Sequence, residues 1–432
     1  MSFLSILAAR SLLQDSSDAE LDKKIPAGSS FYVGFDPTSP NLHIGNLIQA
    51  IVSIHLAKSS GLKPIILFGG STGSIGDPSG RSLERQLLDR STIDANVASH
   101  TRIMQAIFER AGVSCEFVDN YQWTASVSVL DFLRDVGKHF TVNYMIAKEV
   151  VKTRLEGDGI SFTEFSYMLL QAFDFLHLYK NHNCRLQFGG SDQWGNITAG
   201  LELIRRSVQG DAYAFSVPLC VDSEGKKFGK TAAGAVWINA ASLSPYEFHQ
   251  YWLNSADADV EKLLKIFTFM TLEEIAQIVT EHAQAPEKRL AQICLADQVT
   301  SLVHGSAAVE EANMSRSVLF GGSVLFGGSA LFAGSMQNLS EDQLLSIFSG
   351  VPSSEITRTQ LSELMASDLF LLTKLVPSKS EARRLIQNGG AYFNNERLSD
   401  GNVRIDTLIN ADRNILVLRS GKKNYHLIKV VS

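Results

Sequence analysis

FYVGFDPTSPNLHIGN, residues 31–46, sets a strand, a turn and a helix start in immediate succession. The apolar run Ser30 to Phe35 predicts a buried strand. Asp36-Pro37 and Ser39-Pro40 then break it as a turn. A helix is expected from Leu42 to Lys58, with Leu47, Ile48, Ile51, Val52 and Ile54 on its apolar side. His43 and Asn46 are three residues apart and share one face of the first helical turn. That turn carries the positive end of the helix dipole and unpaired N–H groups, so it suits an anion. Gly45 leaves room for a flat ring or a phosphate against the backbone. A metal reading of His43 lacks partner ligands. Taken alone, the segment reads first as a helix with a cap histidine.

Outward from this segment, strand-like and helical runs alternate through about the first 220 residues. Lys63 to Phe68 is a second strand, Ile93 to Ala111 a long helix, and Cys115 to Asp119 and Leu186 to Phe188 are further strands. Such alternation means a parallel sheet, and parallel sheets bind ligands beyond the carboxyl ends of their strands. From Ser244 to about Ala312 the period is helical, over Tyr246 to Leu253, Val260 to Phe267, Leu272 to Ala283 and Glu287 to His304. The tail predicts helices at Leu361 to Glu363 and Ser380 to Gln387, then strands at Ala391 to Phe393, Ile415 to Leu418 and Tyr425 to Val431. Between these parts lies a hexapeptide repeat, VLFGGS at 318–323, VLFGGS at 324–329 and ALFAGS at 330–335. Gly-Gly-Ser interrupts helices, so the repeat is expected to be a linker, some of whose Leu-Phe pairs dock onto a neighbouring domain.

Composition bounds the rest. At roughly 100–200 residues per domain, 432 residues make two to four domains. Apolar content of 45% and charged content of 19% exclude wholesale disorder and fibre classes. No apolar stretch approaches the roughly 18 residues of a membrane span. Met1 to Leu13 has no basic lead-in and is followed by acids, which fits a short amphipathic helix better than a signal peptide. The four cysteines, Cys115, Cys184, Cys220 and Cys294, are scattered, so neither a disulfide framework nor a zinc site is expected and a reducing cytoplasm is the default. Net charge is −6 overall, yet Leu369 to Ser432 holds 11 Lys+Arg against 5 Asp+Glu, a basic module on an acidic body. That division suits either a polyanion contact or a solvated surface.

Further motifs narrow the chemistry. Residues 225–231 read GKKFGKT, with Lys227 and Lys230 flanking Gly229. Lysines on a mobile loop can close on a polyphosphate, although in isolation the stretch reads as a solvated basic hairpin. GGSTGSIGDPSGRSLER at 69–85 fits neither a phosphate loop ending in Gly-Lys-Ser/Thr nor the dinucleotide fingerprint. In SFTEFSYMLLQAFD at 161–174, Tyr167, Gln171 and Asp174 fall on one helix face, a polar stripe in an apolar helix that needs a polar partner. QFGGSDQWGN at 187–196 puts Asp192 and Gln193 just after a strand end, where they can hold a ribose diol or an ammonium.

The HIGN helix entry followed by KFGKT resembles the class I aminoacyl-tRNA synthetases. With the other segments, nearly the whole chain resembles the bacterial-type tyrosyl-tRNA synthetase family. The resemblance implies a Rossmann-like catalytic domain over 1–225, a loop and α-helical domain over 226–345, and a small α+β RNA-binding domain over 355–432. It implies that Tyr32 and Asp174 meet the substrate phenol while Tyr167, Gln171 and Asp77 bind its α-ammonium. Gly34, Asp36, Gly190, Asp192 and Gln193 would line the adenylate site, and His43 and Asn46 would contact ATP phosphates. Lys227, Lys230 and Thr231 would act from one mobile loop and Arg81 and Arg85 from another. Arg383, Arg384, Lys422 and Lys423 would face tRNA.

The implied substrates are L-tyrosine, ATP with its accompanying Mg2+, and tRNA(Tyr), with no metal caged by the protein. A homodimer is implied, with Phe162 and the apolar residues of 142–145 as expected contacts. Asn46 departs from the family's more common second histidine, Arg81 replaces a frequent lysine, and the hexapeptide repeat has no identified counterpart. Two other readings compete: a same-fold ligase for tryptophan, which has no use for the Tyr32/Asp174 pair, and a non-catalytic RNA-binding relic, which has no reason to keep an ATP loop.

Overall fold

The structure, a computed structural model, describes residues 2–79, 87–157, 159–223, 225, 228–231, 234–320, 325–326, 329–330, 340–341, 344–345, 348, 351–409, 413–421 and 424–431. Contacts divide the chain into two compact units, Met1–Gly305 and Ser306–Ser432.

The first unit opens with α1 (Phe3–Ala9), which buries Phe3, Leu4 and Leu7 as an amphipathic helix should. β1 (Ser30–Phe35), α2 (Ile44–Ser60), β2 (Lys63–Phe68), α3 (Arg90–Arg110) and β3 (Glu116–Asp119) follow. Short helices occupy much of 121–156, and then come α4 (Phe162–Asn181), β4 (Cys184–Gly190), α5 (Trp194–Val208) and β5 (Tyr213–Val217). The five strands are parallel in the order β3-β2-β1-β4-β5, a Rossmann-like sheet. Sequence order reverses between β1 and β4, and the crevice at that reversal is where open parallel sheets bind ligands.

Strand periodicity sorts β1 between two cores. Phe31, Val33 and Phe35 face one core with α2 and α3, while Tyr32 faces the other with Met168, Ala172 and Phe175 of α4. Both faces are covered, which is why these strands read as continuous apolar runs. After the sheet, α6 (Pro245–Leu253), α7 (Asp257–Phe267), α8 (Leu272–Gln284) and α9 (Leu290–His304) complete the unit. Phe248, Trp252, Leu263 and Leu295 of these helices share one core with Ile48 and Ile66, so contacts part the chain at Gly305 and not near residue 225.

Helix starts differ from the sequence reading for local reasons. α2 begins at Ile44, not Leu42, because His43 is its extended cap (φ −115°, ψ 171°). α9 begins at Leu290 because Pro286–Lys288 form a separate turn and Arg289 is left-handed (φ 55°).

The second unit begins with α10 (Ser306–Phe320), which carries the helix beyond Ala312 and into the first hexapeptide copy. Leu325–Phe326 and Ser329–Ala330 pair as two-residue antiparallel strands, and the docking expected of the Leu-Phe side chains lies outside the described residues. β6 (Ser353–Thr357), α11 (Arg358–Glu363), α12 (Ala366–Leu372), α13 (Lys379–Gln387), β7 (Ala391–Phe393), β8 (Glu396–Arg397), β9 (Ile415–Ser420) and β10 (Asn424–Val431) form a separate α+β module. Its mixed sheet runs β6-β10-β9-β7-β8 over a core of Leu369, Phe370, Ala382, Ile386, Leu418 and Ile428.

Candidate active site

A cavity of about 500 Å³ opens at the carboxyl ends of β1 and β4. One end is built around Asp174. α4 brings Asp174 under the sheet with Tyr167 and Gln171, all on its cavity side, as their i, i+4, i+7 spacing requires. Asp174 is 2% exposed and accepts two hydrogen bonds at 2.9 Å, from Asn120 Nδ2 and from the indole Nε1–H of Trp123. Trp123 is fixed in turn by stacking on His177, with centroids 4.3 Å apart. Burial pushes the Asp174 carboxyl up to about 7, a shift that its two donors oppose and the nearby Asp36 and Asp119 charges add to. Tyr32 lies 1% exposed on the same cavity wall, packed on Phe175, and its buried hydroxyl has no hydrogen-bond partner among the described residues. Burial and the Asp174 charge raise the Tyr32 phenol well above its ordinary value, so it stays a neutral donor and acceptor. Its register partner on β4, Gln187, also lines the cavity and has a buried carbonyl oxygen without a partner among the described residues. Such orphaned polar atoms around a cavity are the signature of a site completed by a polar ligand.

A continuous hydrogen-bond path leads from this end to the next. Asn120 Nδ2 also reaches Thr72 Oγ1 at 3.2 Å, Thr72 donates to Asp36 Oδ1 at 2.8 Å, and Tyr167 Oη donates to Asp36 Oδ2 at 2.8 Å. Burial, with Asp36 and Asp77 beside it, holds the Tyr167 phenol well above its ordinary range. Gln193 Nε2 donates to Asp77 Oδ2 at 2.6 Å, and Asn196 Nδ2 holds the Gln193 carbonyl at 3.2 Å. Asp36, Asp77, Asp174 and Asp192 all line the cavity, so its middle favours a cation such as an ammonium.

At the far end stands the α2 cap. His43 N–H donates to Asn46 Oδ1 at 3.0 Å, and Gly45 N–H donates to His43 Nδ1 at 3.0 Å, a reciprocal capping box. An Nδ1 that accepts leaves the ring hydrogen of the neutral imidazole on Nε2, a donor. The space over Gly45 is taken by His43 itself: a Cβ there would lie 2.8 Å from the imidazole Cε1. Gly45 itself lines the cavity. The turn before the cap contains two prolines and is held by α3, whose Asn96 Nδ2 reaches Pro37 O at 2.9 Å and whose His100 Nε2 reaches Ser39 O at 2.8 Å. Burial lowers the His100 pKa to about 4, so it serves as a neutral donor. Gly229, left-handed at φ 88°, closes over Ile44, where a Cβ would come within 2.5 Å of Cγ1.

The structure therefore brings Tyr32, Gly34, Asp36, His43, Asn46, Asp77, Tyr167, Gln171, Asp174, Gly190, Asp192 and Gln193 to one cavity. Lys230 and Thr231 form a two-residue strand paired with Gly234–Ala235, beside Gly229 and Ala235 of the cavity wall. Arg81, Arg85, Lys227, Lys422 and Lys423 lie outside the described residues. Arg383 and Arg384 are exposed on α13, opposite its buried Ala382 and Ile386, in the second unit. The sequence reading missed Asn120, Trp123, Gln187, Asn96 and His100. Only Gln187 stood inside a quoted motif; the others lie on elements whose partners become neighbours only through the fold.

Residues 26–320 match the family of tRNA synthetases class I (W and Y), and residues 343–428 match the tyrosine–tRNA ligase SYY-like C-terminal domain. The chain is 44% identical to a tyrosine–tRNA ligase of Bacteroides fragilis over 99% of both chains. It is 45% identical to tyrosine–tRNA ligase 1 of Bacillus subtilis over 98% of both. Among solved structures it resembles a C-terminally truncated mitochondrial tyrosyl-tRNA synthetase of Aspergillus nidulans, with a TM-score of 0.65, 31% identity and coverage of 74% of this chain and 94% of that one. A crevice at the sheet's switch point, a neutral phenol beside a buried carboxyl, and full-length likeness to bacterial ligases converge: the chain belongs to the bacterial-type tyrosyl-tRNA synthetase family of class I aminoacyl-tRNA ligases.

Proposed function

We propose that this cavity activates L-tyrosine with ATP and passes the tyrosyl group to the 3′ end of tRNA(Tyr). The observation that carries the reading is the one cavity lined at one end by the buried Tyr32 hydroxyl and Asp174 and at the other by the His43/Asn46 cap. The substrate phenol bonds Tyr32 and Asp174, and its ammonium sits among Tyr167, Gln171 and Asp77. Asp36 joins the two subsites, because it already accepts the Tyr167 hydroxyl and borders Gly34, Gly190, Asp192 and Gln193, which hold the adenosine.

In the first step the tyrosine carboxylate oxygen attacks the α-phosphorus of ATP in line, a new P–O bond forms, and the bond to pyrophosphate breaks. His43 donates through Nε2–H and Asn46 through its amide to the phosphates. Lys227, Lys230, Thr231, Arg81 and Arg85 stabilise the charge that develops as pyrophosphate leaves. In the second step a terminal ribose hydroxyl of tRNA attacks the tyrosyl carbonyl and AMP departs. No side chain becomes a covalent nucleophile, and catalysis rests on position and electrostatics. Mg2+ enters as part of the MgATP substrate, consistent with that ion's preference for phosphates and water.

The same reading assigns catalysis to 1–225, the closing loop and helices to 226–345, and tRNA binding to 355–432, with Arg383, Arg384, Lys422 and Lys423 meeting RNA. It makes the protein a cytoplasmic homodimer. Phe162 (78% exposed) and Val142 (60% exposed) support an apolar contact between copies, to which Leu130 (77% exposed) also belongs. Met145 is buried within its own subunit and drops out of that surface. Aminoacylation of a tRNA(Tyr) transcript, assayed with tyrosine and with tryptophan, tests the assignment; charging with tyrosine alone is expected, and tryptophan charging at a comparable rate refutes it.

A further inference from the structure

The segment that leaves the Lys230–Thr231/Gly234–Ala235 hairpin runs back along the residues that open α2. Ile44 N–H donates to Val236 O at 3.1 Å, and Ile238 N–H donates to Leu42 O at 2.9 Å. These two bonds bracket an antiparallel pair, His43 opposite Trp237. It is a non-hydrogen-bonded pair, the kind whose facing side chains stand closest. Leu42, Ile44, Val236 and Ile238 belong to the core, so the alternate residues His43 and Trp237 share the opposite face. Their rings have centroids 6.4 Å apart and are tilted by 42°, within the range of interacting aromatic pairs. Further bonds lace the two segments together. Val236 N–H donates to Gly229 O at 2.9 Å, Asn239 Nδ2 donates to Asn41 Oδ1 at 2.9 Å, and Asn41 Nδ2 reaches Ser242 Oγ at 2.7 Å. His43 is exposed and lines the cavity; Trp237 is half-buried and does not.

We propose that Trp237 is a positioning residue for the activation step: its indole holds the His43 imidazole in the orientation that presents Nε2–H to the ATP phosphates. This assignment rests on the reading that His43 serves those phosphates. An exposed imidazole samples several rotamers, and a donor that must meet charge in the transition state gains from being oriented beforehand. The Gly45 N–H holds the ring at Nδ1, and the indole limits its swing. The bridge does not call for an indole on its own account. Its bonds are made by backbone groups and its burial by Val236 and Ile238, so a smaller residue at 237 leaves both in place.

The test is a double-mutant cycle on the full-length protein, read by tyrosine-dependent ATP–pyrophosphate exchange without tRNA, with tyrosine binding and thermal unfolding measured alongside. Trp237→Ala is expected to lower kcat about tenfold with the tyrosine Kd within about twofold, because only the orientation of His43 is lost. Trp237→Phe should keep kcat within about threefold of wild type, since a ring remains at the same register. In a His43→Ala background, Trp237→Ala should cost no more than about twofold further, because the group it orients is gone. Trp237→Thr carries the same test without a ring should the alanine variant fail to fold. An unchanged kcat, an equal loss in both backgrounds, or a loss confined to transfer onto tRNA overturns the assignment. A wild-type chain with no tyrosine-dependent exchange refutes the proposed reaction and this role together, whereas wild-type exchange with an additive cycle removes Trp237 alone.

Discussion

The two ends of the cavity are built on opposite plans. Around Asp174, polar groups are held by neighbours: Trp123 by His177, Asn120 by the Ser71 N–H at 2.7 Å, Asp36 by Thr72 and Tyr167. Around His43, an exposed residue caps a helix with backbone N–H groups and its dipole at hand. The difference follows from what each end must recognise. A phenol hydroxyl differs from a hydrogen by one polar group, so discrimination requires desolvated partners that go unpaired when the hydroxyl is missing. A polyphosphate carries its own charge and can be met by helix-end N–H groups and cations at an open site. On the proposed reading, selectivity is stored in the end around Asp174 and rate in the end around His43.

The largest effect should come from breaking the Asp174 end outright. Asp174→Ala leaves the Asn120 and Trp123 donors buried without an acceptor, and tyrosine-dependent exchange should fall about a thousandfold in kcat/KM, measured against an unchanged circular dichroism spectrum. Next, Lys230→Ala should cut exchange by about a hundredfold while the tyrosine Kd stays within about twofold, because the role proposed for this lysine is confined to the phosphates. Unchanged exchange would remove Lys230 from its role. Tyr32→Phe keeps the ring and loses one neutral hydrogen bond, so the preference for tyrosine over phenylalanine should narrow by about tenfold.

The smallest effect is a pH dependence. With the Asp174 carboxyl pushed up to about 7, its protonated form dominates below neutrality and is a poorer acceptor for a phenol O–H. Tyrosine binding should tighten a few-fold as pH rises through about 7, and Trp123→Phe, lacking one donor to the carboxylate, should move that midpoint upward. The sign for stability is opposite. A carboxyl whose folded pKa exceeds its unfolded value contributes stability that is present below about 3.8 and lost as pH rises through about 7, so the ligand-free protein should be more stable to denaturant at pH 5 than at pH 8 as far as this group decides.

Legibility in the sequence follows the same division. The strand, turn and cap of residues 30–46 are local, and their order alone identified β1 and α2 to within two residues at the helix start. The polar stripe of Tyr167, Gln171 and Asp174 was visible because helical periodicity is local as well. Asn120 and Trp123 were not visible, because their role is created when β3 ends beside α4, some 50 residues further along the chain. β5, β6 and the bridge between His43 and Trp237 escaped for the same reason: pairing across strands has no period along the sequence.

The most direct measurement is amino-acid-dependent ATP–pyrophosphate exchange with tyrosine and phenylalanine side by side on the unaltered protein. A Tyr32 hydroxyl left without a ligand partner must penalise the missing hydroxyl, as this family itself illustrates, so exchange with tyrosine should exceed that with phenylalanine by orders of magnitude in kcat/KM. Rates for the two amino acids within about tenfold of each other would mean that this pocket does not read the hydroxyl.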